Sequence, residues 1–301
     1  MPVSKPLRTP WARSLGLDVP IVNAPMGGAA GGRLAAAVCR AGGLGMVGMG
    51  SSATDTLLTA ELEAVRGVDR PFGIGLVHWV MTAHPELLET ALAAGPALLS
   101  VSFGEDWTWV RRAHDAGVVA VTQVATVTAA RHAVAAGVDV VVARGAEGGG
   151  HGEPRLGTLP LLVDVLDTVD VPVLAAGGIA SPRGLAAVLA AGAEGAWIGT
   201  AFAACPEALT APDARSALLG AAGTDTTLTR EFDVAQGYPW PAHLPERVLT
   251  DSSGVPTPVN AGQAVGQVTE AEPAGVLIAR LCTGAQALLA RWGGLSAAGG
   301  D

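Results

Sequence analysis

Eight short apolar runs recur along the chain, each followed by a glycine-rich or polar break and then a stretch rich in Ala, Leu, Arg and Glu. The runs fall at 20–23, 44–48, 72–77, 98–102, 118–124, 138–144, 173–176 and 195–198. Helical stretches lie among them at 32–41, 54–65, 85–94, 107–116, 128–136, 159–169 and 182–191. Hydrophobicity within a run is continuous rather than alternating, as in Val140, Val141 and Val142, which suits strands covered on both faces. Eight such strands interleaved with helices predict an α/β fold, a (β/α)8 TIM barrel.

The alternation stops near Cys205-Pro206. Residues 206–271 are rich in Thr, Pro and Gly and carry Tyr238-Pro239-Trp240-Pro241. They are expected to form a small cap or insertion subdomain over the barrel mouth. A last helix over 272–292, with apolar positions at Val276, Leu277, Leu281, Leu288 and Leu289, would close the ring. The barrel is therefore assigned to 1–205 and 272–301.

With 50% hydrophobic and 15% charged residues, most of the chain folds around an extensive core. Every apolar run is cut by Gly, Asp, Arg or Pro before it could span a bilayer, so no membrane is expected as a partner. The N-terminus lacks the apolar core of a signal peptide, and a cytoplasmic location is the expectation. Cys39, Cys205 and Cys282 are far apart and form no C-x-x-C, which fits reduced thiols. A net charge of -9 without a basic cluster argues against nucleic acid as a partner. Lys5 is the only lysine. Schiff-base chemistry, pyridoxal phosphate anchoring and a Walker-type phosphate lysine are thereby disfavoured. A phosphate would have to be held by backbone N–H groups, hydroxyls or arginine.

The chemistry-bearing segments sit at the C-terminal ends of the predicted strands, where parallel α/β folds place their sites. After the sixth run comes Glu147-Gly148-Gly149-Gly150-His151-Gly152, a glycine loop with one titratable side chain. The seventh run ends in Ala175-Ala176-Gly177-Gly178-Ile179 and the eighth in Gly199-Thr200. Barrels often seat phosphate at the last two positions, where glycines let amides approach the anion and Thr200 offers a hydroxyl donor. His151 lies beside that seat, where an imidazole can act as base or hydrogen-bond donor near neutral pH. His78-Trp79, after the third run, is the second candidate at the mouth, and Tyr238 a third side chain for the substrate pocket. The motif Gly43-Leu44-Gly45-Met46-Val47-Gly48 matches G-x-G-x-x-G. A helical stretch precedes it and its glycines fall inside the second run, the wrong context for a dinucleotide turn. His151-Gly152-Glu153 has the H-x-E form of zinc deaminases without the partner P-C-x-x-C, and no metal site is expected. No G-x-S-x-G elbow is present.

Taken together, these segments resemble the nitronate monooxygenase family (2-nitropropane dioxygenases), FMN-dependent (β/α)8 barrels. The carriers, from about Pro20 to Pro206, are Asn23-Ala24-Pro25-Met26-Gly27-Gly28, Ala41-Gly42-Gly43-Leu44-Gly45, the glycine-histidine loop, Ala175 to Ile179 and Gly199-Thr200. The resemblance implies that Ala24, Pro25 and Met26 line the flavin ring, with Gly27 beside them at the cofactor. It implies that Gln123 bonds the pyrimidine edge and that Gly149, Gly150, Gly177, Gly178, Gly199 and Thr200 hold the ribityl phosphate. His151 takes the place of the family's catalytic histidine, removing the α-proton of a neutral nitroalkane or bonding the nitro oxygens of a nitronate. FMN would accept electrons from the nitronate and O2 would reoxidise it, yielding a carbonyl compound and nitrite. The implied partners are thus a small nitro or nitronate substrate and O2. Two departures stand out: Gly73-Ile74-Gly75 where many relatives carry Gly-x-Asn, and Glu147-Gly148-Gly149-Gly150-His151 for the usual Glu-Ala-Gly-Gly-His. Competing readings are an FMN-dependent NAD(P)H reductase, of the enoyl-acyl-carrier-protein or quinone/nitro type, and a non-catalytic flavin-binding protein.

Overall fold

The computed structural model describes residues 7–295, with side chains up to residue 291; Lys5 lies outside the described residues. The strands are β1 (Ile21–Asn23), β2 (Gly45–Gly48), β3 (Phe72–Val77), β4 (Leu98–Ser102), β5 (Val119–Val124), β6 (Val140–Arg144), β7 (Gly150–His151), β8 (Val173–Ala176), β9 (Gly195–Ile198), β10 (Thr226–Thr229), β11 (Glu246–Thr250) and β12 (Pro256–Asn260). Eight of them form one parallel sheet in the order β1-β9-β8-β6-β5-β4-β3-β2. A parallel bridge between Val22 and Leu44 joins the two ends of that order. The result is the (β/α)8 barrel that the apolar runs predict. Asn23 reinforces the seam: fully buried, its side chain accepts from Met46 N and donates to Met46 O, each at 2.9 Å. An amide side chain thus substitutes for the strand ladder where that ladder is thinnest.

Continuous hydrophobicity has a direct cause in the packing. On β6, Val140 and Val142 join an inner cluster with Leu98, Val121, Leu174 and Trp197, while Val141 and Ala143 belong to the outer cluster under the helices. Period two therefore still governs each strand; both faces are simply dry. The helices are α1 (Pro10–Ser14), α2 (Gly32–Arg40), α3 (Asp55–Glu63), α4 (His78–Ala83), α5 (Glu86–Ala93), α6 (Thr108–Asp115), α7 (Val127–Ala135), α8 (Thr158–Leu166), α9 (Pro182–Ala190), α10 (Thr200–Ala203), α11 (Pro212–Gly220), α12 (Glu231–Gln236) and α13 (Ala274–Leu295). Helix α1 carries Trp11 and Ala12 into the inner cluster, so the N-terminal end of the barrel is plugged. Thr9 caps it and Trp11 N donates to the Glu194 carboxylate at 2.9 Å.

Helix α13 packs on α9 and α2 and completes the outer ring. Leu277 and Leu281 are buried there, and Leu288 and Leu289 pack on the core. Val276, expected on the same apolar face, is instead 52% exposed; one position before Leu277, it is rotated about 100° off the buried stripe. None of the helices among the described residues is long and apolar enough to cross a membrane.

Between α10 and α13 the chain builds α11, α12 and a second sheet, β10-β11-β12, antiparallel throughout. Its β11 also pairs with β7 from the sixth loop, setting Glu246 opposite His151 and Arg247 opposite Gly150. The glycine-histidine segment is therefore not a free loop. It is an edge strand of the sheet that the 206–271 segment supplies.

Candidate active site

Reading inward positions up three adjacent strands shows how the barrel interior becomes a site. The series are Leu98, Ser100, Ser102 on β4; Val119, Val121, Gln123 on β5; and Val140, Val142, Arg144 on β6. Each begins apolar and ends polar at the C-terminal rim. There Ser102, Gln123 and Arg144, with Ala24, Gly75, Ala176 and Trp197, floor a cavity of about 530 Å³. Gly75 answers the departure noted at strand three: a Cβ there would lie 2.3 Å from both Cβ and Cγ of Pro25. The proline ring fills the space that a larger side chain would need.

Ala24, Pro25, Met26, Gly27, Gln123, Gly149, Gly150, His151, Gly177, Gly178, Gly199, Thr200 and Tyr238 all line this cavity. The Gln123 backbone N–H donates to Ser102 Oγ at 3.3 Å, while its side-chain amide has no hydrogen-bond partner among the described residues. Gly177 and Gly178 hold φ of +105° and +68°, and a Cβ on Gly177 would meet Thr158 Oγ1 at 2.8 Å. That pair of conformations requires glycine and leaves the backbone bare toward the cavity. Thr200 Oγ1 accepts from Gly262 N at 2.9 Å, which leaves its own hydrogen free to donate. A cavity lined by bare glycine backbone and by the Gln123 amide fits a flat, phosphorylated ring cofactor.

His78 and Trp79 do not line the cavity, a correction to the sequence expectation. They open α4, a helix without a side-chain cap and hence without a sequence signal. The His78 ring sits where a Cβ on Gly104 would be, and its Nε2 is buried without a partner. Trp79 packs one layer behind, 6.0 Å from Tyr238 and edge-on to Trp240 at 5.9 Å between ring centroids.

Two features of the site lie beyond the residues singled out from sequence. Arg144, 8% exposed, donates from Nη2 to the carbonyls of Gly148, Gly149 and Gly150 at 3.0, 3.0 and 3.1 Å. Burial, and then the neighbouring Arg247, push its pKa down to about 10. Its inward position at the end of Val140, Val142, Arg144 was the available signal. The second is the setting of His151. Its ring stacks on Trp240, 3.6 Å between centroids and 5° from parallel, and Trp240 Nε1 donates to Ser51 Oγ at 2.9 Å. Phe103 meets Trp240 edge-on at 4.9 Å and holds φ +72°, an uncommon conformation for a bulky residue. His151 Nε2 lies 2.9 Å from Asp233 Oδ2 on α12, and Glu246 completes a group whose donor atoms lie within 4.8 Å of one another. At that spacing two carboxyls and an imidazole either share protons or hold a cation. Neither acid was legible, because 82 residues separate Asp233 from His151 with no spacing rule between them.

Burial lowers the His151 pKa below its ordinary value, against the opposing pull of Asp233. That direction favours the neutral ring, and where Nε2–H is donated to Asp233 its Nδ1 is an acceptor with no hydrogen-bond partner among the described residues. A neutral, oriented imidazole at a cavity wall can take a proton from a bound carbon acid.

The model of the nitronate monooxygenase family matches residues 9–86 and 78–240. The chain belongs to the nitronate monooxygenase family. A nitronate monooxygenase of Pseudomonas aeruginosa is 32% identical over 96% of this chain and 93% of its own length. A relative from Rhodococcus jostii, named (3aS,4S,5R,7aS)-5-hydroxy-7a-methyl-1-oxo-octahydro-1H-indene-4-carboxyl-CoA dehydrogenase, is 33% identical over 81% of this chain. The match spans 66% of that relative's length. Among solved structures, FabK from Thermotoga maritima superposes with a TM-score of 0.85 at 27% identity, over 96% of this chain and 99% of that one. The family is one of oxidoreductases, and it shares this barrel.

Proposed function

We propose that the chain is an FMN-dependent oxidoreductase that converts alkyl nitronates or nitroalkanes, with O2, to a carbonyl compound and nitrite. The observation that carries this reading is His151: an imidazole on the cavity wall with Nε2 held 2.9 Å from Asp233 Oδ2, beside glycines whose bare backbone suits a flavin phosphate. Gly177, Gly178, Gly199 and Thr200 would hold the phosphate, Gln123 the pyrimidine edge, and Ala24, Pro25, Met26 and Gly27 the ring system, with Gly149 and Gly150 beside them. When bound, the flavin supplies the two-electron chemistry and the reaction with O2.

The chain's own residues do the rest. Trp240, Tyr238 and Phe103 wall the space next to His151 and exclude water from it. His151 Nδ1 takes the α-proton of a neutral nitroalkane, and Asp233 offsets the imidazolium charge that results. With a substrate already ionised, the ring in its protonated form donates from Nδ1 to the nitro oxygens while Nε2–H stays on Asp233. The segment 206–271 acts as a cap, since α12 and β11 bring Asp233 and Glu246 to the histidine.

His151→Ala tests the assignment. The variant is expected to keep flavin, read from its visible absorbance per mole of protein, and to lose turnover of neutral nitroalkanes by about 10²-fold or more. Unchanged nitrite release would remove His151 as the base. The likeness to FabK and to a CoA dehydrogenase favours a second reading, a nicotinamide-dependent reductase on the same seat. Rapid flavin reduction by NADH or NADPH, with none by nitronate, would select it.

A further inference from the structure

The cap meets the barrel at three ionisable side chains from three different elements. His151 stands on β7, Asp233 on α12 and Glu246 on β11. Antiparallel pairing sets Glu246 directly across from His151, so both side chains leave the sheet on one face. Asp233 reaches the same point and makes the 2.9 Å contact with Nε2. Both acids are buried, at 5% and 6% exposure, and Glu246 Oε1 has no partner. Among the described residues no arginine forms an ion pair with either acid. The other groups whose charges or bonds reach the cluster are Arg144 from β6, Glu231 from the first turn of α12 and Asn260 from β12, which bonds the Glu246 side chain.

Two carboxyls buried this close cannot both ionise cheaply. The direct contact to His151 spends Nε2 on Asp233 and leaves no room for a cation between them. Resting on the reading of His151 as the base, we infer that Asp233 and Glu246 form a carboxyl pair that holds one proton behind His151. Ionised Asp233 fixes the Nε2–H tautomer, and protonated Glu246 keeps the pair at a single negative charge. Both are positioning residues: they touch neither substrate nor flavin, and they set which ring nitrogen is bare and how well the imidazolium is accommodated. Burial, and then the Asp233 charge, raise the Glu246 pKa to about 7, in keeping with a retained proton.

The test is 15N NMR of histidine-labelled holoenzyme, with the signals of His151 among six histidines identified by their loss in His151→Ala. Wild type is expected to show Nε2 protonated and Nδ1 bare at pH 7, and a step in both signals as Glu246 loses its proton, above the ring's own titration. Asp233→Asn should mix the tautomers and lower the ratio of neutral-nitroalkane to nitronate turnover about 10-fold or more. Glu246→Gln should keep the tautomer and abolish the step. A wild-type Nδ1–H tautomer overturns the pair, and that spectrum decides even if Asp233→Asn does not fold. An unchanged tautomer and ratio in Asp233→Asn also overturn it, while the base reading stands or falls separately on His151→Ala. One equivalent of divalent metal in the holoenzyme, lost in Glu246→Gln, overturns the shared proton in favour of a cation.

Discussion

Replacing Arg144 by Met separates two opposed terms that the structure places on one side chain. The guanidinium is buried at 8% exposure, and among the described residues it forms no ion pair, with Glu147 acting on it only through its charge, so its removal relieves a desolvation cost. Against that, Nη2 serves three carbonyls at 3.0 to 3.1 Å, those of Gly148, Gly149 and Gly150. Methionine fills a similar volume but donates nothing. Each carbonyl left unpaired costs about 1–3 kcal/mol. Water from the adjoining cavity can reach part of the set, which favours a net loss near ~3 kcal/mol over the larger sum. At this chain length ~1 kcal/mol moves the melting temperature by ~2 °C, so a fall of ~6 °C is expected by calorimetry. The carbonyls belong to the segment that carries His151, so FMN affinity, read by quenching of flavin fluorescence, should weaken about 10-fold or more with it. A melting temperature within ~1 °C of wild type, together with unchanged FMN affinity, would refute the view that Arg144 organises this loop.

Three further outcomes follow from single contacts. Gly177→Ala forces a side chain onto φ +105° and 2.8 Å from Thr158 Oγ1; a loss of about 1–3 kcal/mol in urea unfolding and weakened FMN binding are expected. Glu246, with its pKa raised to about 7 by burial first and then Asp233, favours the folded state only while protonated. Its contribution is complete below the unfolded carboxyl pKa and is lost as pH rises through 7, amounting to at most ~3 kcal/mol. Wild type should therefore lose more stability than Glu246→Gln between pH 5.5 and 8.5; an equal slope in the two proteins rejects the shifted proton. Trp240→Phe keeps the ring stack on His151 but deletes the bond to Ser51, costing about 1 kcal/mol by the same unfolding measurement.

The barrel was legible because each strand carries its own signature. Val140 to Val142 are apolar on both faces since one face meets the barrel interior and the other the helices, and no distant information is needed to see it. Of the glycines in Gly43-Leu44-Gly45-Met46-Val47-Gly48, Gly45 and Gly48 lie in β2, after α2, rather than in a turn that leads from a strand into a helix. What failed was long-range pairing. Two residues, Gly150 and His151, become a strand only because β11, nearly a hundred residues later, offers them an edge. Asp233 and Glu246 sit in a polar segment without periodicity, so nothing local marks them as partners of a histidine. His78 was misplaced for a related reason: α4 starts directly from β3 and sets the ring against Gly104 rather than in the cavity lining. The period-two change from Val140 and Val142 to Arg144 was readable, because inward positions at the C-terminal end of a barrel strand face the site.

A flavin seated in this cavity is proposed to be reduced directly by a nitronate. Anaerobic mixing of the FMN-loaded protein with an alkyl nitronate, followed by visible absorbance, tests it most directly. Bleaching of the flavin band by nitronate alone is expected, with nitrite released once O2 is admitted. A flavin that stays oxidised with nitronate yet bleaches with NADH or NADPH, or a protein that takes up no FMN, would contradict it.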